Sequence, residues 1–323
     1  MPIGKQSDFV LQDTQYQLGK YEALGRTVRA FNQASNHAIR LVQHELLGQY
    51  EKDAFFDALA GLVTRRDLSS VEDADDLALT QSTEIGIKLE RLIGPVTQTL
   101  NSFHKIGLDA AQMSLIVGRM VAEAKTVNFL DAGLIAAQAC LAKQTSTQYA
   151  ATAQTTPTIT HHHLLAGLAK LGDAAQRITC WVMHSKVYFD LMRQTLADNL
   201  TGISSLTVRA GSVETLGLPV VVTDSAALLH AGTPNTYSTL GLVRDGLVLT
   251  ESEDETVAAE MVTGKQQLLF RIQGEYAFNT RLRGFAFTTA IANPTDAQLA
   301  DSANWTLVAS DIKNAAGIEI ITQ

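Results

Sequence analysis

His184 and Ser185 are the residues of this chain best placed for covalent chemistry, an imidazole base beside a hydroxyl with Asp173 and Asp190 close in sequence. They sit in Leu171–Leu196 (LGDAAQRITCWVMHSKVYFDLMRQTL), where an apolar strand over Ile178–Met183 gives way to an amphipathic helix. A serine nucleophile at a strand-to-helix junction needs a sharp turn that exposes its oxygen, and the G-x-S-x-G pattern supplies that turn through its two glycines. Met183 and Val187 stand at those two places here. Ser185 therefore reads as the cap of the helix, its hydroxyl accepting one of the backbone N–H groups that the first turn leaves unpaired. A serine hydrolase using Ser185 is the enzyme-class alternative.

Metal chemistry has three candidates. His161, His162 and His163 are adjacent, and successive helical side chains diverge by about 100°, so the three cannot converge on one ion from one helix. They read as helix-start or surface histidines and as pH-sensitive groups. The run Glu72-Asp73-Ala74-Asp75-Asp76 is acidic enough for calcium, but it lacks the Gly and Glu that a calcium loop carries at its sixth and twelfth positions. It reads as a solvated turn, or as one that meets the basic pair of a neighbouring chain. Cys140 and Cys180 lie in apolar segments without C-x-x-C spacing; buried free thiols fit best, and a disulfide between them stays open. There is no phosphate-binding glycine loop, no H-E-x-x-H and no pair of carboxylates that spacing places in a cleft. The sequence marks no catalytic, cofactor or metal residue.

The elements around these residues divide the chain. Residues 1–17 are polar and aperiodic, an extended arm. Leu24, Val28 and Phe31 predict a short amphipathic helix over Tyr21–Phe31 with Arg26 and Arg29 on its polar face, and Ile39 and Leu41 alternate in a strand over His37–Leu46. Asp53–Val63 (DAFFDALAGLV) predicts a helix of about three turns, followed by Arg65-Arg66. Ile85, Ile87 and Leu89 alternate with Glu84, Gly86 and Lys88 in a strand over Leu77–Leu100 that Gly94-Pro95 ends or bends. Residues 46–104 are thus a long excursion with too little apolar surface to fold alone.

Leu108–Lys125 is the clearest helix. Asp109 suits its first turn, and Met113, Ile116, Val117, Met120, Val121 and Ala124 form an apolar stripe that predicts core packing, with Gln112, Arg119 and Glu123 opposite. Asn128 and Asp131 then cap a second helix to Lys143. Gln144–Thr160, rich in Thr, Ala and Gln, predicts a linker and the best internal boundary. Thr160 caps a helix over His161–Leu171 that Gly172 closes. Beyond Leu196 the chain reads mostly as sheet. Short strands cover Leu206–Ala210 and Leu218–Thr223, and a hairpin turns at Asp245-Gly246. A long strand pair over Gln266–Thr289 flips its apolar parity at Gly284, as at a β-bulge. A short helix near Asp296–Leu299 and a last strand over Gly317–Thr322 close the chain.

Composition bounds what such a chain does. Of its 323 residues 46% are hydrophobic and 18% charged, so much of the surface is neutral, as surfaces covered by a partner are. A net charge of −8 argues against gripping nucleic acid through a basic patch. No apolar run approaches the roughly 18 residues of a bilayer span, and the N-terminus lacks the apolar core of a signal peptide.

Taken in order, the polar arm, the unsupported excursion, the long amphipathic helix and the Leu171–Leu196 junction followed by long strands resemble the major capsid protein of tailed bacteriophages, the Hong Kong 97 type of shell fold. Within it the chain is similar to the branch whose helix ends in Leu-Gly-Asp and whose next helix starts at Met-His-Ser after a strand. Those residues stand here as Leu171-Gly172-Asp173 and Met183-His184-Ser185, followed by Val187, Tyr188 and Leu191. The shared order of parts, over nearly the whole chain, carries more weight than either short motif.

The resemblance implies an α+β fold in six parts. An N-terminal arm with the first strand (1–45) reaches over a neighbour, and an extended loop (46–104) lies across the adjacent subunit. A peripheral domain combines the spine helix (105–159) with return strands (253–290). An axial domain (160–252) is completed by the C-terminal segment (291–323). The resemblance further implies self-assembly into hexamers and pentamers of an icosahedral shell around double-stranded DNA, located in the virion after assembly in the host cytoplasm. A scaffolding protein, a portal and, optionally, a decoration protein are the implied partners, with no cofactor and no membrane. Some shells of this type cross-link a loop lysine to an asparagine; Lys88 is in the right region, but nothing marks a partner asparagine. A compartment of the same fold enclosing an enzyme cargo is the second alternative.

Overall fold

The computed structural model describes residues 31–46, 48–56, 63, 65, 77–99, 110–152, 154, 156–201, 215–264, 266–267 and 269–323. The arm, the acidic run 72–76, Arg66, Asp109 and the strand expected over 206–210 lie outside the described residues, as does all but the end of the helix expected before residue 31. Its longest helix, α1 (Ala110–Lys143), runs 34 residues without the break and second cap expected at Asn128. The Asn128 side chain is used elsewhere: its Oδ1 accepts a hydrogen bond from the Tyr276 hydroxyl at 3.1 Å. A polar side chain with a partner outside the helix has no need to compete for the helix backbone.

The buried face of α1 also departs from the expected stripe. Ile116 and Met120, with Val127 below them, are 40%, 64% and 59% exposed, while Ala122, Lys125, Phe129 and Ala132 are buried. The physical reason is close approach. A Cβ at Gly133 would lie 2.9 Å from the Leu249 side chain, so small residues face the sheet where the helix lies nearest to it. A stripe chosen by side-chain size points the other way.

The strands among the described residues form two sheets. The first has the order β1 (Ile39–Gln43), β9 (Leu247–Val262), β10 (Leu269–Leu282), β3 (Gln81–Thr99), β11 (Phe285–Phe287) and β12 (Trp305–Leu307), with β2 (Tyr50–Phe56) also paired to β3. α1 packs on it through Phe129, whose ring centroid lies 5.7 Å from Tyr276 and 4.4 Å from Phe278. Residues 53–56, expected to open a helix, are strand instead: Tyr50 pairs with Ile87 and Phe56 with Gln81 along an antiparallel ladder. Long-range pairing here overrides a helical spacing of apolar residues. At Gly94-Pro95 the strand bends without ending. Val96 pairs with Ile272 and Ile93 with Gly274, so the register shifts where proline has no N–H to give.

The second sheet has the order β4 (Gln148–Ala150), β13 (Gly317–Thr322), β8 (Thr236–Val243), β5 (Ile178–His184) and β6 (Val220–Thr223), with β7 (Leu229–His230) on β8. Helices α2 (His161–Ala169) and α3 (Ser185–Thr201) flank it, and α4 (Asp296–Ala300) starts with the reciprocal Thr295–Gln298 capping box. The segment expected as a linker contains β4, which pairs in parallel with β13.

Asp245-Gly246 does turn the chain, but it makes no hairpin. β8 already has β13 and β5 on its two edges and β9 has β1 and β10, so the turn carries the chain from one sheet to the other. Its Asp245 N–H is taken by the His37 carbonyl at 2.8 Å. Gly284 is likewise a turn, at φ +79, after which β11 takes new neighbours; it is not a bulge within one strand pair.

Candidate functional site

β5 and α3 bring His184 and Ser185 to one corner, and the geometry there is not that of a triad. The Ser185 hydroxyl donates to Asp224 Oδ1, and His184 Nε2 lies 3.8 Å from the same oxygen. In an acyl-transfer triad the imidazole stands between hydroxyl and carboxylate, taking the proton of one and oriented by the other. Here the carboxylate holds the hydroxyl directly. His184 Nδ1 is occupied as well, accepting the Lys186 backbone N–H at 3.2 Å. The capping role expected of Ser185 therefore belongs to His184, which satisfies the second amide of α3 as a cap must. The nearby acids are spent elsewhere: Asp190 pairs with Lys186 at 3.2 Å and Asp173 with Lys313 at 2.5 Å, a hydrogen bond that holds the Asp173 carboxyl below its usual range.

The three histidines open α2, whose cap is Thr160 as the sequence predicts, its Oγ1 accepting the His163 N–H at 3.3 Å. His163 is buried beside Tyr149; burial, reinforced by His162, holds its pKa below the usual imidazole value. Cys140 and Cys180 are buried and free. Burial pushes the Cys140 thiol well up and that of Cys180 up to about 12, so neither is a nucleophile near neutral pH.

Among the described residues, the group of His, Cys or acidic side chains close enough to share an ion is Glu251, Asp254 and Glu255, whose oxygens lie within 4.8 Å of one another. Lys125 of α1 fills the space between them. Its ammonium is hydrogen-bonded to Glu251 and to Glu255, lies 3.8 Å from Asp254, and sits 5.2 Å from the Tyr276 ring centroid. Burial, with the Glu251 and Glu255 carboxylates adding to it against Arg91, pushes the Tyr276 hydroxyl up to about 12. The same acidic strand pairs Glu253 with Lys88, which is itself buried. The Lys125 cluster braces helix to sheet and the Lys88 pair ties two strands of that sheet, with an ammonium as the cation in each.

A second cluster escaped sequence reading. Glu319 is fully buried in β13 with three neutral donors: Ser238 at 2.6 Å, Gln148 at 2.8 Å and Gln138 of α1 at 3.3 Å. His230 Nε2 lies 2.8 Å from the Ser238 hydroxyl. Since Ser238 donates to the carboxylate, the imidazole donates to Ser238, the reverse of nucleophile activation. The available signal was a charged residue inside an apolar run, Glu319 in GIEIIT and Lys125 in a helix otherwise read as having an apolar inner face.

What the chemistry-bearing groups do not supply, the surface does. Ile116, Met120 and Val127 lie exposed on α1, Leu92 and Val96 on β3, and Phe56, Leu77 and Leu79 beside the outer part of the β2–β3 hairpin. Apolar side chains displayed on several elements mark surfaces meant for covering. No described helix is long and apolar enough to cross a membrane.

The family model of Gp13-like proteins, described as major capsid protein 13-like, matches residues 8–319. No curated protein matches the chain. Among solved structures it is similar to the cyanophage Pam1 capsid asymmetric unit, at 12% identity over 88% of each chain with a TM-score of 0.53. It is also similar to a chain from Mycobacterium phage Cain, at 13% identity over 86% of this chain and 90% of that one with a TM-score of 0.51. A chain from Mycobacterium phage Bobi gives 12% identity over 81% and 88%, with a TM-score of 0.50. At these identities the likeness is one of fold.

Proposed function

The chain belongs to the Gp13-like family of major capsid proteins, and from that premise we propose how its parts divide the work of building a shell. It is a structural protein of the virion capsid with the α+β Hong Kong 97-type fold, and it self-associates into that shell. In our reading α1 and the sheet it lies on are the peripheral domain (105–159 and 253–290). The second sheet with α2 and α3 is the axial domain (160–252, completed by 291–323), placed around the five-fold and six-fold positions. Residues 1–45 are the arm. Residues 46–104 are an extended loop laid across the adjacent subunit.

The observation that carries the last assignment is the β2–β3 hairpin. β10 pairs with β3 only from Ile87 onward, and the part toward Gln81 has β2 as its main partner. Two strands with Phe56, Leu77 and Leu79 exposed beside them do not make a stable unit in water. Coverage by a neighbour, repeated by symmetry, turns many modest contacts into a stable shell. The shell encloses double-stranded DNA, which an acidic subunit confines without gripping. It forms in the host cytoplasm on a scaffolding protein, receives a portal, and takes a decoration protein where one is present.

Deleting Asp67–Asp76 is expected to abolish closed shells in electron micrographs while circular dichroism still shows a folded subunit; a variant that builds normal shells would refute the loop assignment. Arg65, two residues before that segment in sequence, is exposed. Reversing Arg65 and Arg66 together to Glu is expected to weaken assembly at low salt, with the deficit shrinking as ionic strength shortens the screening length below about 8 Å. Assembly equal to wild type at every salt concentration would remove any intersubunit role for the pair.

A further inference from the structure

One side chain braces the base of the β2–β3 hairpin. Arg281 of β10 crosses β3 at Gly86, where a Cβ would come within 3.0 Å of the Arg281 Cβ and 3.1 Å of the Thr280 carbonyl oxygen. Beyond that crossing the guanidinium meets three carboxylates of the hairpin: it is hydrogen-bonded to Asp53, 3.6 Å from Glu51 and 3.8 Å from Glu84. Glu84 is held a second time, its Oε1 accepting the Gly284 N–H at 2.7 Å from the turn that ends β10. The other charged groups facing this point are Arg283, whose guanidinium donates to the Arg244 carbonyl at 3.3 Å, and Asp245, 3.5 Å from Arg40 of β1. A cleft of about 440 Å³ opens beside them, lined by Asp53, Glu84, Arg281 and Gly284 among others.

Three carboxylates on one guanidinium leave negative charge in excess, at the point where the hairpin departs from the sheet and beside space into which it can shift. We propose that this brace is a proton-linked hinge, in which docking of the hairpin onto Arg281 and Gly284 takes up a proton at Glu84. The Glu84 side chain is 15% exposed. Burial raises its pKa above the usual carboxylate value; the Gly284 N–H, Arg281 and Arg283 pull it down without cancelling the rise, and Asp53 adds to it. If the hairpin swings away, Glu84 is resolvated and returns to its ordinary value. Between the ordinary and the raised value the docked state holds more protons, so docking is favoured on the acid side and weakens as pH rises through that window. Protonated Glu84 keeps an oxygen for the Gly284 N–H. The hinge requires no assumption about which surface the hairpin covers in a shell.

Hydrogen exchange on the full chain tests this, with β2–β3 amides such as those of the Asp53/Glu84 and Tyr50/Ile87 pairs referred to the β9–β10 ladder of the same molecule. In the wild type the relative protection of the hairpin is expected to be lower at about pH 7 than at about pH 5, after correction for intrinsic exchange. Glu84→Gln, neutral at every pH and nearly isosteric, is expected to stay protected at both. A flat wild-type profile overturns the hinge, and so does a slope that survives Glu84→Gln.

Discussion

Lys125→Met is expected to lower the unfolding free energy by about 3–5 kcal/mol, the cost of breaking a buried ion pair from one side. The Lys125 side chain is 1% exposed and its two bonded partners, Glu251 and Glu255, are almost as deeply buried. Methionine fills the volume of the stem and supplies no charge. Two carboxylates then face the aromatic rings of Phe129 and Tyr276, Glu251 still accepting from the Gln43 amide at 2.8 Å. The penalty is desolvated negative charge that has lost its cation, so removing the charges should recover most of it. Lys125→Met combined with Glu251→Gln and Glu255→Gln is expected to unfold closer to wild type than the single variant does, a non-additivity that double-mutant cycles in chemical denaturation measure. A single variant as stable as wild type would show that the cluster contributes nothing. The consequence reaches function through α1, because the cluster joins the helix to β9 and, through Gln43, to β1.

What could be read from sequence was local, and what could not was pairing. Thr160 as a cap, the alternation of Ile85, Ile87 and Leu89, the strand into His184 and the last strand to Thr322 are properties of a few neighbouring residues, and the structure has them. Asp245-Gly246 shows the limit. Its residue types specify a turn, but whether the flanking strands join each other depends on partners more than sixty residues away, namely β13, β5 and β1. Asp53–Phe56 shows it again, since the strand exists by virtue of β3. The corner at His184 and Ser185 was located correctly but its cap was assigned to the wrong residue, because the group that takes the Ser185 hydroxyl, Asp224, is 39 residues downstream. The buried clusters around Lys125 and Glu319 depend on contacts spanning 81 to 181 residues, and spacing within a segment carries no trace of those. The order of parts along the chain, by contrast, survives such local errors, which is why the shell fold was legible when several of its elements were not.

Gly317→Ala is expected to destabilise the protein by about 4 kcal/mol or more, in the range reserved for a few severe mechanisms. A Cβ at Gly317 would lie 1.9 Å from the Gly241 carbonyl oxygen, 3.0 Å from its carbonyl carbon and 3.1 Å from the Leu242 Cα. All three are backbone atoms of β8, so no rotamer change relieves the clash. The strands must part where Gly317 pairs with Leu242 and Ile318 with Gly241. Separation there is costly because β13 is bonded on both edges, buries Ile318 and Ile320, and holds Glu319 against donors on β8, β4 and α1. Any shift of β13 strands a buried carboxylate as well as opening an apolar seam. Gly172→Ala supplies the contrast. Gly172 has φ +57 and nothing within 4 Å of its would-be Cβ, so the substitution meets backbone preference alone and should cost about 1–2 kcal/mol. Denaturation midpoints of the two variants therefore separate contact from conformation. Near-equal losses would mean that β8 and β13 can slide apart without consequence, and that the C-terminal strand is not the clasp its contacts describe.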